Sequence, residues 1–155
     1  MAIAYLGLGS NLGNKRHNLI KAAALLAERG GDILALSSFY ETAPWGFVSD
    51  NSFLNAAMKL ETTLSPLELL ETTQEIEKEL GRTEKSNSSD YQDRVIDVDL
   101  LLYDDQILQT PVLTLPHPHL HERRFVLEPL AEIAPFCVVP VIGKSVAELL
   151  ELLRE

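Results

Sequence analysis

Cysteine is almost absent. The single thiol, Cys137, has no partner for an intramolecular disulfide, which excludes the small secreted scaffolds held together by bridges and fits a reducing cytoplasm. It stands in the apolar run Phe136-Cys137-Val138-Val139, where a buried structural thiol is expected rather than a nucleophile. Long hydrophobic runs are also missing, since none approaches the ~18 apolar residues of a membrane span. The apolar N-terminus has no positively charged segment ahead of it, so no secretory leader is expected either. Positive charge is scarce: 13 Lys and Arg face 23 Asp and Glu, a formal charge of -10. That balance argues against broad nucleic-acid binding, which needs an electropositive surface. An anionic small substrate stays possible, because a few local cations and a metal reverse the field inside a cleft. Aromatics are only 6% of the chain, so any place where they crowd carries information.

What is present is a chain of 155 residues, 46% apolar and 23% charged, which reads as one soluble domain over 1–155 with a full core. The most informative stretch runs from Arg94 to Tyr103. It is β-branched and aliphatic, ends in an aromatic, and reads as a buried strand. Strand side chains alternate, so Asp97 and Asp99 project from one face, roughly 7 Å apart. Two carboxylates on an apolar strand call for a cation, and a hard divalent metal completed by phosphate oxygens is the natural one. A pair of solvated strand-end aspartates is the plainer alternative. Arg94, on the same strand, adds an anion-binding group and favours a metal-phosphate site. Nucleotidyl- and glycosyltransferases also use such an acidic pair.

The remaining segments follow from punctuation and periodicity. Ala2 to Leu8 reads as a strand, Gly9 to Asn14 as a turn, and Lys15 to Arg29 as a helix closed by Gly30-Gly31. Gly7, Gly9 and Gly13 miss the dinucleotide spacing by one position, so a structural strand-to-helix turn is preferred to a phosphate-binding loop. Asp32 to Glu41 and Phe53 to Leu60 read as strands. Between them Trp45, Phe47 and then Phe53 crowd a loop, either folding back as core or stacking on a planar ligand; Asn55 has an amide suited to a heterocycle edge. Ser65, Pro66 and Glu68 predict a capping box and a helix to Leu80, stopping at Gly81. Gln74 and Glu77 share a face of it and taken alone read as solvated surface. Arg82 to Asp93 is polar and reads as a mobile lid, with Arg82 and Lys85 bringing charge to a phosphate chain. A turn from Tyr103 leads into a short partner strand. His117, His119 and His121 alternate, which suits zinc, although two prolines interrupt them; an anion clamp from His117 with Arg123 and Arg124 is preferred. Val126 to Ile133 reads as helix, Val138-Val139 as a short strand, and Ser145 to Leu153 as a final helix.

Taken in order, Gly9-Ser10-Asn11-Leu12-Gly13, Ser38 to Thr42, Phe53 to Ala57, Glu77, Gly81-Arg82, Arg94 to Asp99, Pro116 to His119, Arg123 to Pro129 and Glu132 to Pro135 resemble the 6-hydroxymethyl-7,8-dihydropterin pyrophosphokinases. The resemblance implies an α+β, ferredoxin-like fold, mainly an antiparallel sheet with helices packed on its faces. It implies transfer of diphosphate from ATP to the hydroxymethyl group of 6-hydroxymethyl-7,8-dihydropterin in folate biosynthesis, with AMP released, by a cytoplasmic monomer. It carries two Mg²⁺ ions onto Asp97 and Asp99, with Arg82 and Arg94 as catalytic cations. It carries a pterin sandwich onto Phe53 and Phe125, with Thr42, Ala43, Trp45 and Asn55 around the ring. Gln74, Glu77, Arg82, Lys85, Tyr91, Arg94, Thr114, His117 and Arg123 match ATP-contacting positions. The chain departs from the family pattern at Glu84, Tyr91, Gln92 and Asp93.

Overall fold

The computed structural model describes residues 1–42, 52–81 and 95–154. The loop expected at Thr42–Ser52 and the lid expected at Arg82–Asp93 therefore lie almost wholly outside the described residues. Strand β1 (Ala2–Ser10) leads into helix α1 (Lys15–Arg29). An edge strand follows in two pieces, β2 (Asp32–Leu36) and β3 (Tyr40–Thr42). Next come β4 (Phe53–Thr62), helix α2 (Pro66–Glu79) and β5 (Asp97–Tyr103). A small hairpin, β6 (Leu108–Gln109) and β7 (Thr114–Leu115), precedes a 3-10 turn at Leu120–Glu122. Helices α3 (Arg124–Ile133) and α4 (Val146–Arg154) close the chain.

The main sheet runs β2-β4-β1-β5, with β3 continuing the β2 edge beside β4. All its pairings are antiparallel. This is the α+β, ferredoxin-like arrangement. Alternation along the strands sorts the core into two layers. Leu6, Leu8, Met58, Leu60 and Leu100 face α1 and α2, packing on Leu19, Leu26, Leu69 and Ile76. Tyr5, Ala57, Leu101 and, across a bulge in the β1–β5 pairing, Leu102 face the other way, onto Leu127, Leu130, Val139, Val146 and Leu149.

Local chemistry explains the element ends. The Asn14 side chain accepts the His17 N–H at 3.1 Å and starts α1. A Cβ on Gly31 would sit 2.0 Å from the Glu61 carbonyl, at φ +153°, so only glycine lets the chain return to the sheet there. Ser65 and Glu68 form the expected reciprocal box at 2.8 and 3.2 Å. Ser145 and Glu148 form a second one, at 2.8 and 3.1 Å, ahead of α4.

Several expectations are corrected. The strand expected over Asp32–Glu41 breaks at Ser37–Phe39. There the Ser37 hydroxyl accepts the Ala57 N–H at 2.8 Å, standing in for a main-chain acceptor, so the strand need not stay in register. Gly9, expected in the turn, lies within β1, which runs on to Ser10. α3 begins at Arg124, and Pro129 is accommodated inside it. Val138 makes only an isolated bridge to Ser145. Cys137 is half-buried rather than fully buried, beside Tyr5, and burial pushes its thiol up. The histidine segment is not extended: Leu115–Pro116 is cis and the chain then winds into the 3-10 turn.

Candidate active site

On the face of the sheet turned toward α3, three strands place their side chains in rows. Gly9 of β1 pairs with Asn55 on one side and Asp97 on the other; Gly7 pairs with Ala57 and Asp99. Neighbouring strands lie about 4.8 Å apart, so the two glycines form a bare floor between the Asn55 amide and the carboxylates. A Cβ on Gly9 would come 3.1 Å from the Asn55 Oδ1 and 3.7 Å from the Phe53 ring. Period-two glycines in an apolar strand were the signal available for this floor, and a turn reading passes over it.

The start of α3 does not reach down to that floor. The gap is an open cleft of about 590 Å³, counted out to solvent, lined by Gly7, Gly9, Thr42, Phe53, Asn55, Asp97, Asp99, Arg123 and Phe125. Seven of these nine, all but the glycines, are among the residues singled out from the sequence. Leu8, Ala56 and Val126 complete the lining. Asn55 is buried and donates from Nδ2 to the Thr42 hydroxyl at 2.9 Å, which fixes the direction of its amide. Phe53 comes from β4 and Phe125 from α3, so aromatic rings enter the cleft from two elements. The Arg123 guanidinium lies 5.7 Å from the Phe125 ring centre, a cation–π distance. Burial pulls its pKa down, yet an arginine stays charged, so the cleft holds a buried cation facing two carboxylates.

His117 stands beside this set. Its own N–H donates to the Leu101 carbonyl at 2.9 Å, tying it to β5. Its Nδ1 accepts the His119 N–H at 3.2 Å, so the neutral ring carries its proton on Nε2. Burial and His119 hold its pKa below the usual histidine value, while Asp97 pulls the other way. His117 is therefore a neutral N–H donor near the carboxylates.

Glu77 corrects the expectation of a solvated side chain. It is 6% exposed, and its Oε2 accepts the Val98 N–H at 2.7 Å. That bond joins α2 to the strand between the two aspartates. Gln74, one turn earlier, is exposed, and Thr114 lies on the β6–β7 hairpin, outside the cleft lining. Ala43, Trp45, Arg82, Lys85, Tyr91 and Arg94 lie outside the described residues. Among the described residues no group of three or more His, Cys, Asp or Glu could hold a metal, so the histidine run makes no zinc cage. Asp97 and Asp99 are a two-carboxylate donor set on one face, opening onto a cleft. Such a set suits Mg²⁺, which takes one or two carboxylates and completes its shell with water and phosphate oxygens.

Residues 5–135 match the family model described as 7,8-dihydro-6-hydroxymethylpterin-pyrophosphokinase (HPPK). The chain is 53% identical over 138 residues to the 2-amino-4-hydroxy-6-hydroxymethyldihydropteridine pyrophosphokinase of Porphyromonas gingivalis, covering 88% of this chain and 93% of that protein. It is 40% identical over 152 residues to the folic acid synthesis protein fol1 of Schizosaccharomyces pombe, covering 97% of this chain and 20% of that much longer one. A solved Plasmodium falciparum HPPK-DHPS structure with pteroate superposes with a TM-score of 0.79 at 17% identity, over 98% of this chain and 42% of that one.

Proposed function

The chain belongs to the 7,8-dihydro-6-hydroxymethylpterin-pyrophosphokinase family, and from that premise we propose how its cleft serves the reaction. The enzyme transfers diphosphate from ATP to the hydroxymethyl group of 6-hydroxymethyl-7,8-dihydropterin in folate biosynthesis. In balance, the pterin hydroxyl oxygen bonds to the β-phosphorus, the bond from that phosphorus to the α-bridging oxygen breaks, the hydroxyl proton is lost, and AMP leaves.

The pterin lies over the glycine floor between Phe53 and Phe125, with its edge read by Asn55. Thr42 holds the Asn55 amide, and Ala43 and Trp45 are assigned to the same ligand. Stacking supplies apolar contact, and a buried amide rejects rings that cannot return its hydrogen bonds. The ATP phosphates lie toward Asp97, Asp99, Arg123 and His117, and Gln74, Glu77, Arg82, Lys85, Tyr91, Arg94 and Thr114 are assigned to binding the nucleotide. Two Mg²⁺ ions held by Asp97 and Asp99 would neutralise phosphate charge and acidify the attacking hydroxyl. Arg123 balances charge as it moves from the β-phosphoryl to the leaving AMP, and Arg82 and Arg94 are assigned the same work. His117, neutral, donates from Nε2 to a phosphate oxygen without adding a charge. Phosphoryl transfer asks for alignment and charge neutralisation more than for covalent chemistry. The unit that does this is the single domain 1–155, acting as a cytoplasmic monomer.

One observation supports the reading: in the Asn55–Gly9–Asp97 row an amide and a carboxylate flank a single glycine. A ring held at one end thus has its substituent delivered to the other. The test is AMP production from ATP and Mg²⁺, with and without the pterin. Pterin-dependent AMP and no ADP is expected, and Asp97→Asn or Asp99→Asn should lower kcat by about a hundredfold or more. ADP as product, or folded variants with full activity, would overturn it.

A further inference from the structure

Glu132, in the last turn of α3, accepts from Ser38 in the break of the edge strand and from Tyr40 at the start of β3. The Ser38 N–H reaches both carboxylate oxygens at 3.1 Å, the Ser38 hydroxyl donates at 3.2 Å, and the Tyr40 hydroxyl donates at 2.6 Å. Surface carboxylates seldom satisfy themselves on one short segment so fully, and charge-assisted bonds of this kind are the strong ones. The electrostatics follow from the same contacts. The bond to Glu132 pushes the Tyr40 hydroxyl up to about 12, and the same bond holds the Glu132 carboxyl low.

The segment held by Glu132 is the one that shapes the cleft. Tyr40 pairs with Asn55 and Thr42 with Phe53 across β3 and β4, and the Thr42 hydroxyl holds the Asn55 amide. The opposite wall, Arg123 and Phe125, belongs to the start of α3. Glu132 is thus a polar tie between two bodies whose separation sets the width of the aromatic slot.

We propose that Glu132 is a positioning residue for the pterin: through Ser38 and Tyr40 it fixes β3, and with it Thr42, Asn55 and Phe53, relative to Phe125 on α3. The assignment rests on the cleft being the pterin site. Glu132 is not among the residues that line the cleft, and the carboxylate row does not depend on it. Its loss therefore loosens the ring slot while the carboxylate row, built on β1 and β5, stays in place.

The experiment compares Glu132→Gln, Tyr40→Phe and Phe53→Ala by steady-state kinetics, calorimetric pterin binding and thermal unfolding. Glu132→Gln and Tyr40→Phe should each raise the pterin KM and Kd about three- to tenfold, with kcat and the ATP KM within about twofold of the parent. Tyr40→Phe added to Glu132→Ala should cost nothing further, because the two act through one contact. Unchanged pterin affinity in Tyr40→Phe and Glu132→Gln, or equal losses for both substrates that track Tm, would overturn the role. If Phe53→Ala weakens pterin binding and the other two do not, the positioning role fails while the cleft assignment stands. If Phe53→Ala also binds pterin normally, the cleft assignment fails and the positioning role with it.

Discussion

At the scale of the residue, this site depends on what two side chains leave out. Gly7 and Gly9 clear the space that Asn55, Phe53 and the aspartates enclose, and the Asn55 Oδ1 stands only 3.1 Å from where a Gly9 Cβ would be. A buried amide that must also hold Thr42 cannot give way cheaply. Gly9→Ala should therefore raise the pterin KM by about tenfold or more while sparing the ATP KM, measured by steady-state kinetics. His117 makes a pH prediction. Its folded pKa is held below the ordinary 6.5, so between those values the unfolded chain binds more protons. Stability then rises with pH through that window and falls as the pH drops through 6.5 toward the depressed value. Denaturant midpoints measured across that range should show a shallower fall in His117→Gln than in the parent.

At the scale of the element, the ends of strands and helices carry more of the site than their middles. Among the described residues β5 is an edge strand, and its Val98 N–H donates to Glu77 of α2 at 2.7 Å. Removing that acceptor leaves a buried donor unmet. Glu77→Ala should cost about 1–3 kcal/mol of stability, and Glu77→Gln, which keeps an acceptor, considerably less; chemical denaturation distinguishes them. Another tie pins β3 to β4 and α1: the Ser52 hydroxyl donates to Glu41 at 2.7 Å, and the Lys15 ammonium reaches Ser52 at 3.2 Å. Helix ends were readable in advance because their signals are local. Asn14, Gly30 and the Ser65–Glu68 box act within four residues of themselves. The serine that breaks the edge strand was not readable, because its partner is Ala57 on another strand.

At the scale of the whole molecule, the sheet divides two cores, and the cleft opens where the second is incomplete. Among the described residues no helix is long and apolar enough to cross a membrane. Ligand that binds only the folded chain stabilises it by mass action. Pterin at a hundred times its Kd, added with Mg²⁺ and a non-hydrolysable ATP analogue, should add about 2.7 kcal/mol. For a chain of this size that is a Tm rise of about 5–11 °C by differential scanning calorimetry. Chelating the metal should lower Tm by the nucleotide's own contribution, which is separate from the pterin's.

The sequence by itself determined the chemistry. Asp97 and Asp99 share a face because strand side chains alternate, and that holds for any strand. Local caps set the helices, and the order of motifs identified the family. Tertiary structure decided which of those residues meet. Glycine alternation in β1 matters only once β4 and β5 flank it, and Glu77 turns from a surface carboxylate into an anchor only because β5 presents an unmet N–H. The sequence also said nothing of Glu132 and Tyr40 meeting, since they are 92 residues apart. Alternation and capping are short-range and written into the local chain, whereas the width of the cleft comes from packing two distant segments against one sheet.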